Sequence, residues 1–198
     1  MLEDVDGQLV QIRASGLADL LSVVIEQFEL HCQMAKEMYK EFGCIPDIKI
    51  QQENGYDARN SAIISQTFTA MIIEAFYFDY YFGKNSKTKA EQWSKQSPMK
   101  QFEQLCVNYL NQPEFESLDL HIKLKELNKV RKRWVHNQST EIGKYRKDLG
   151  YLSADGCIQL LREFFEFFHT KDASCKLAEF THSVLTELQL NTKGYNGL

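Results

Sequence analysis

Proline and glycine are scarce in this chain, three and ten among 198 residues. So few breakers exclude a collagen-like or loop-rich protein and suit one built of helices. The five cysteines are an odd number without Cys-x-x-Cys spacing. That pattern argues against a disulfide framework or a zinc ribbon, and for reduced thiols packed as small core hydrophobes. No uninterrupted apolar run reaches the roughly 18 residues of a membrane span. The longest stretch, Ala70 to Phe82, is broken by Glu74 and Asp79. The first residues, MLEDVDGQLV, are acidic where a signal peptide is basic. A cytoplasmic protein without membrane attachment is the expectation. The chain also lacks GxGxxG, GxxxxGK[ST], HExxH and GxSxG, which removes the common phosphate-loop, metalloprotease and serine-hydrolase chemistries. Convincing strand alternation and internal repeats are missing too.

What is present reads as a soluble globular chain, 43% hydrophobic and 25% charged. Apolar residues recur at three and four along Leu17, Leu20, Leu21, Val24, Phe28, Cys32, Ala35 and Tyr39. That spacing predicts a helix over 17–42, stopped by Gly43. Residues 44–57 read as a loop, with 48–50 a short extended piece. A second helix over 59–82 is apolar nearly all round, the mark of a central helix. Shorter helices are expected over 89–96 and from Pro98 to about 111. A basic helix over 117–136 carries the stripe Leu120, Leu124, Leu127 and Trp134. Ser153 is the N-cap of an aromatic-rich helix, with Leu152 and Cys157 as its staple. A last helix covers 174–190. The fold class is all-α, a bundle of four to six helices. Residues 1–57 form a tail, a long helix and a loop packed on the bundle. Residues 58–190 form the bundle, and 191–198 a turn-rich tail.

Charge is unevenly spread beneath a net −4. Residues 1–60 hold eleven acids and five bases, whereas 121–136 hold six bases and one acid, Glu126. One basic helix can make a local phosphate-binding surface on an otherwise acidic protein. Two Glu-x-x-His pairs, Glu166 with His169 and Glu179 with His182, resemble half of a di-iron constellation. They lie about 20 Å apart on one helix, or are separated by a turn, so they do not share a metal. Glu163 and Glu166 read as the solvated face of their helix. No metal or other cofactor is expected.

The segment Arg131-Lys132-Arg133-Trp134-Val135-His136-Asn137 contains Arg-x4-His at the end of the basic helix. Neutral imidazole takes a proton from a ribose 2′-hydroxyl, and guanidinium grips a phosphate bidentately and stabilises its developing charge. The pair suits metal-independent RNA cleavage. On a straight helix the two side chains point about 140° apart. They converge only if the helix ends between them or a second subunit completes the site. Lys125, Lys129, Lys132 and Arg133 share a polar face suited to the RNA backbone, with ordinary solvation as its plainer reading.

Arg131 to His136, the preceding IISQTFTAMIIEAFYFDYYFG and the following SADGCIQLLREFFEFF together resemble a HEPN domain (higher eukaryotes and prokaryotes nucleotide-binding) over about residues 58–190. The resemblance implies a helical bundle that often dimerises, many of whose members are endoribonucleases of toxin–antitoxin and anti-phage systems. It implies Arg131 at the scissile phosphate and His136 as acid/base residue in a dimeric cleft. Lys129, Lys132, Arg133 and Asn137 would contact substrate, and Glu126 would be an orienting partner. RNA, a second copy of the chain and an antitoxin or defence-system protein are the implied partners. Lys132 stands where the family commonly has a small polar residue, and Gln138 where some members have tyrosine. The alternatives are a HEPN-like module that binds nucleotide or RNA or scaffolds without catalysis, and an unrelated helical interaction protein.

Overall fold

A computed structural model describes residues 2–5, 8–11, 16–56, 58–135 and 153–192. Helix α1, Leu17–Phe42, ends where Gly43 turns left-handed at φ 71° and its N–H bonds to the carbonyl of Tyr39. Its buried face is Leu17, Val24, Phe28, Cys32, Ala35 and Met38, so Met38 takes the place expected of Tyr39. Residues 48–50 are not extended. Asp47 accepts bonds from the backbone N–H groups of Lys49 and Ile50 and starts a short helix α2, Ile48–Glu53. An N-cap satisfying two free donors outweighs the strand preference of two isoleucines.

Helix α3, Ala58–Phe82, is the central one. Its Ser61 Oγ donates to the carbonyl of Gln27 in α1 at 3.0 Å. Ser61, Ser65 and Thr69 recur every four residues and are buried. By length and composition Arg59–Phe82 would pass as a membrane span, which the reading of uninterrupted runs excluded. Half of its most apolar stretch is buried inside the bundle, as befits a central core helix.

Helix α4, Lys87–Trp93, lays Trp93 flat on Tyr81 with ring centroids 4.2 Å apart. Helix α5, Pro98–Asn108, starts with Ser97 as cap and proline in its first turn. Beyond it Asn111 adopts a positive φ of 48°, so the helix is shorter than its periodicity suggests. A 3-10 turn at Phe115–Ser117 leads into α6, Asp119–Val135. Helix α7, Ala154–Lys171, is capped by Ser153, whose Oγ accepts from the N–H of Gly156 as expected. The expected staple residue Leu152 lies outside the described residues. Helix α8, Lys176–Thr192, packs back along α7.

The bundle is all-α as expected, with eight helices among the described residues instead of four to six. It carries one addition. Leu2–Val5 and Gln8–Gln11 pair as an antiparallel hairpin, β1 and β2, with Val5 opposite Gln8. The core centres on Phe76, whose ring meets those of Phe164, Phe165 and Phe168 edge-on at 5.4, 5.2 and 4.8 Å. All four are fully buried. Burying each contributes about 2–3 kcal/mol, and edge-to-face geometry adds to it. Helices α1 and α6 flank α3, and α7 lies beneath it. Of the cysteines, Cys32, Cys106 and Cys157 are core residues, with burial pushing the Cys157 thiol up to about 12. Cys44 is exposed, against expectation.

Candidate functional site

Leu120, Leu124, Leu127 and Val130 turn one side of α6 inward. Arg131 follows Leu127 by four positions, so its side chain leaves the helix on the same side and meets α3. There it pairs with Glu74, the acid that interrupts the apolar run of α3, at 2.5 Å from Nη1 to Oε1. Both side chains are 29% exposed, so the pair sits at the mouth of the interface. Burial raises the Glu74 carboxyl above its ordinary range, and the Arg131 charge and hydrogen bond offset this only in part. Glu74 engages Nη1 of a guanidinium that carries five donors.

A narrow cleft runs beside the pair, lined by Ala70, Ile73, Glu74 and Tyr77 of α3, Pro98 and Met99 of α5, and Leu124, Leu127 and Asn128 of α6. Its volume of about 20 Å³ suits one water molecule and not a nucleobase. Asn128 Oδ1 is buried with no hydrogen-bond donor among the described residues. One position round the helix from Asn128, Lys125, Lys129 and Lys132 form an exposed basic stripe.

The expected site residues divide as follows. Arg131 lies at the α3–α6 interface, and Lys132 is exposed on the outer stripe. Glu126 does not orient Arg131. It pairs with Lys129 at 2.7 Å across one turn of the solvent-facing side, an exposed contact of small energy. Arg133 belongs to α6 by its backbone, but its side chain lies outside the described residues. So do His136 and Asn137 entirely, and with them the approach of His136 to Arg131. Glu163 is not simply a solvated acid, since it accepts from Lys123 of α6 at 2.6 Å. Among the described residues no group of three His, Cys, Asp or Glu side chains is placed to hold a metal.

Two features escaped the sequence reading. Glu74 is one, although an acid inside a central apolar helix is itself a signal that a cation must face it. The other is the run Lys84, Lys87, Lys89, Lys95 and Lys100, five bases against the single acid Glu91. It leads into the N-terminus of α5 at the cleft, where counting charge over residues 84–100 would have found it.

A second polar node lies at the end of α3. Asp172, in the turn between α7 and α8, accepts from Tyr80 Oη at 2.6 Å, Lys84 Nζ at 2.8 Å, and the hydroxyl and N–H of Ser174 at 2.5 and 3.1 Å. Burial pushes its carboxyl up. The bonds from Lys84, Ser174 and Tyr80 outweigh this and hold it far below the usual carboxylate range. Both carboxylate oxygens accept two bonds each, and the node ties the α7–α8 turn to the end of α3.

In comparisons with known proteins, no family model, no curated protein and no solved structure matches this chain.

Proposed function

We propose that the chain is a metal-independent endoribonuclease of the HEPN type, acting in a toxin or anti-phage defence system. The observation that carries this reading is the placing of Arg131, half shielded and fixed by Glu74 at the end of α6, beside the stripe Lys125, Lys129 and Lys132. Lysines on that stripe neutralise successive backbone phosphates. The guanidinium of Arg131 takes the scissile phosphate and stabilises charge as it develops. His136, five residues further on in sequence, removes the proton of the 2′-hydroxyl. The 2′-oxygen attacks phosphorus, the bond to the 5′-oxygen breaks, and that oxygen takes a proton from an acid. The products are a 2′,3′-cyclic phosphate and a 5′-hydroxyl. The cleft beside Arg131 is too small for a base, and the lysine stripe favours contacts to the RNA backbone.

One observation favours a second reading, a HEPN-like module that binds RNA or scaffolds without cutting it. Glu74 already neutralises Arg131 and sets a carboxylate beside any incoming phosphate. The test is cleavage of total RNA by purified protein in excess EDTA, alongside His136→Ala and Arg131→Ala. Cutting by the unaltered protein alone, leaving cyclic phosphate ends, supports the nuclease. RNA binding without cutting supports the module. Equal cutting by all three proteins removes Arg131 and His136 from the chemistry.

A further inference from the structure

We infer that the outer side of α1 is a docking surface for a basic amphipathic helix of a partner protein. Helix α1 turns Val24, Phe28, Cys32 and Ala35 inward and packs on α3 and α7. Its opposite side carries a different pattern. Leu30 and Met34 lie one turn apart at the centre, with Glu26 one turn before them and Glu37 one turn after. Asp19 and Glu41 continue the same stripe at either end, over about 33 Å. Leu30 is 49% exposed. A groove runs from this stripe to the start of α3. Leu30, Met34, Glu37 and two glutamines of α1, with Asn60 and Ser61 of α3, line a volume of about 280 Å³. Such a groove is small for a drug-sized ligand but admits apolar side chains of a segment laid along it. The bond from Ser61 Oγ to the Gln27 carbonyl ties its two walls together. At the rim, Gln33 Nε2 donates to Glu37 Oε1 at 3.1 Å.

Charge selects the occupant. Asp19, Glu26, Glu37 and Glu41 are all exposed and lie within about 40° of Leu30 round the helix. Lys36 and Lys40 lie about 120° and 80° away, off the stripe. The groove lining holds one carboxylate and no base. A helix with an apolar centre and a base one turn to either side meets this surface point for point. Its apolar residues cover Leu30 and Met34, and its cations face Glu26 and Glu37. The steps of three and four along α1 are those of a second helix laid beside it. An acidic segment would be repelled along the whole stripe.

This surface is separate from the basic stripe of α6. Glu74, which pairs with Arg131, stands 13 residues beyond Ser61 on α3. That is about 20 Å along the helix and about 140° round it. The docking surface therefore stands independently of the proposed nuclease.

Fluorescence anisotropy of a labelled peptide tests it. The probe is a peptide of leucine and lysine about four helical turns long, with leucines at i, i+3, i+4 and i+7. A second probe carries glutamate in place of lysine. The full chain should bind the lysine probe and not the glutamate probe. Leu30→Asp and Glu37→Lys should each weaken binding about tenfold. Glu29→Lys makes the same charge change about 100° round α1 from Leu30, and should leave affinity within about twofold. No binding of the lysine probe overturns the inference. Equal weakening by Glu29→Lys and Glu37→Lys also overturns it, because it reduces the surface to general attraction by an acidic region. So does self-association of the chain that Leu30→Asp abolishes, which gives the groove to a second copy. Should Leu30→Asp fail to fold by circular dichroism, the two charge changes decide alone.

Discussion

Glu74 and Asp172 are both ion-paired and both largely shielded from water, yet the structure moves their acidities in opposite directions. Burial raises both. Asp172 has Lys84, Tyr80 and two donors from Ser174 to overcome that cost, and its carboxyl ends far below the usual range. Among the described residues Glu74 has Arg131, and its carboxyl ends above the usual range. The comparison shows what separates a fully compensated ion pair from a partly compensated one. Where every lone pair is matched, the node is closed and ties the α7–α8 turn to α3. Where one half-exposed guanidinium is all that offsets the cost of burying a carboxylate, the pair is only partly compensated.

Breaking the closed node should cost most. Asp172→Ala should lower stability by about 2–3 kcal/mol in urea unfolding, since it strands the Tyr80 hydroxyl, Lys84 and the Ser174 N–H. The acid response should identify the cause. Because the folded carboxyl is depressed, its stabilisation is complete above its unfolded value near 4 and disappears as pH falls below it. Asp172→Asn should therefore lose less stability than the unaltered chain between about pH 5 and 2. An identical acid profile would remove Asp172 from the comparison.

Opening the other pair should cost less and show the opposite pH dependence. Glu74→Gln keeps the shape and loses the ion pair, so a change of about 1 kcal/mol is expected at neutral pH. A raised carboxyl penalises folding when ionised. Relative to Glu74→Gln, the unaltered chain should therefore gain stability as pH falls from neutral through the raised value, the reverse of Asp172. If Arg131 holds RNA phosphate as proposed, binding of a short single-stranded RNA should tighten by roughly threefold to tenfold in Glu74→Gln, because a carboxylate leaves that position. Weaker binding would make Glu74 a necessary positioning residue for Arg131.

The smallest effect on stability belongs to the exposed stripe. Lys129→Ala should leave the unfolding midpoint nearly unchanged, within about 0.5 kcal/mol. It should lower the slope of log affinity against log salt for RNA by about one. An unchanged slope would mean that the stripe is solvated surface.

Much of the architecture was legible before any coordinates. Helix α1 was read with its stop because Gly43 follows an unbroken apolar stripe. The cap at Ser153 was visible as an N-cap residue before an aromatic-rich run. The hairpin of residues 2–5 and 8–11 was missed because polar composition hid a short-range cue, the Asp6-Gly7 dipeptide. Helix α2 was missed because its apolar residues are β-branched and its stability comes from the Asp47 cap. The Arg-x4-His spacing and the basic run of α6 were visible in the sequence, whereas the Glu74 partner of Arg131 was not. Glu126 was assigned to Arg131 on sequence proximity, but i,i+3 geometry gives it to Lys129.

By itself, the order of apolar and polar residues determined that the chain is helical, that α3 is its centre and that α6 carries the positive charge. Those are properties of period and composition, repeated over many residues and therefore robust. Only the tertiary structure decided which charge meets which. The partner of Arg131 lies 57 positions earlier, and Tyr80 and Asp172 stand 92 apart. Ion pairs and buried hydrogen bonds depend on ångström distances set by the packing of α3 against α6 and α7. No local pattern encodes those distances, because each side chain is aimed by its own helix and its partner is supplied by another.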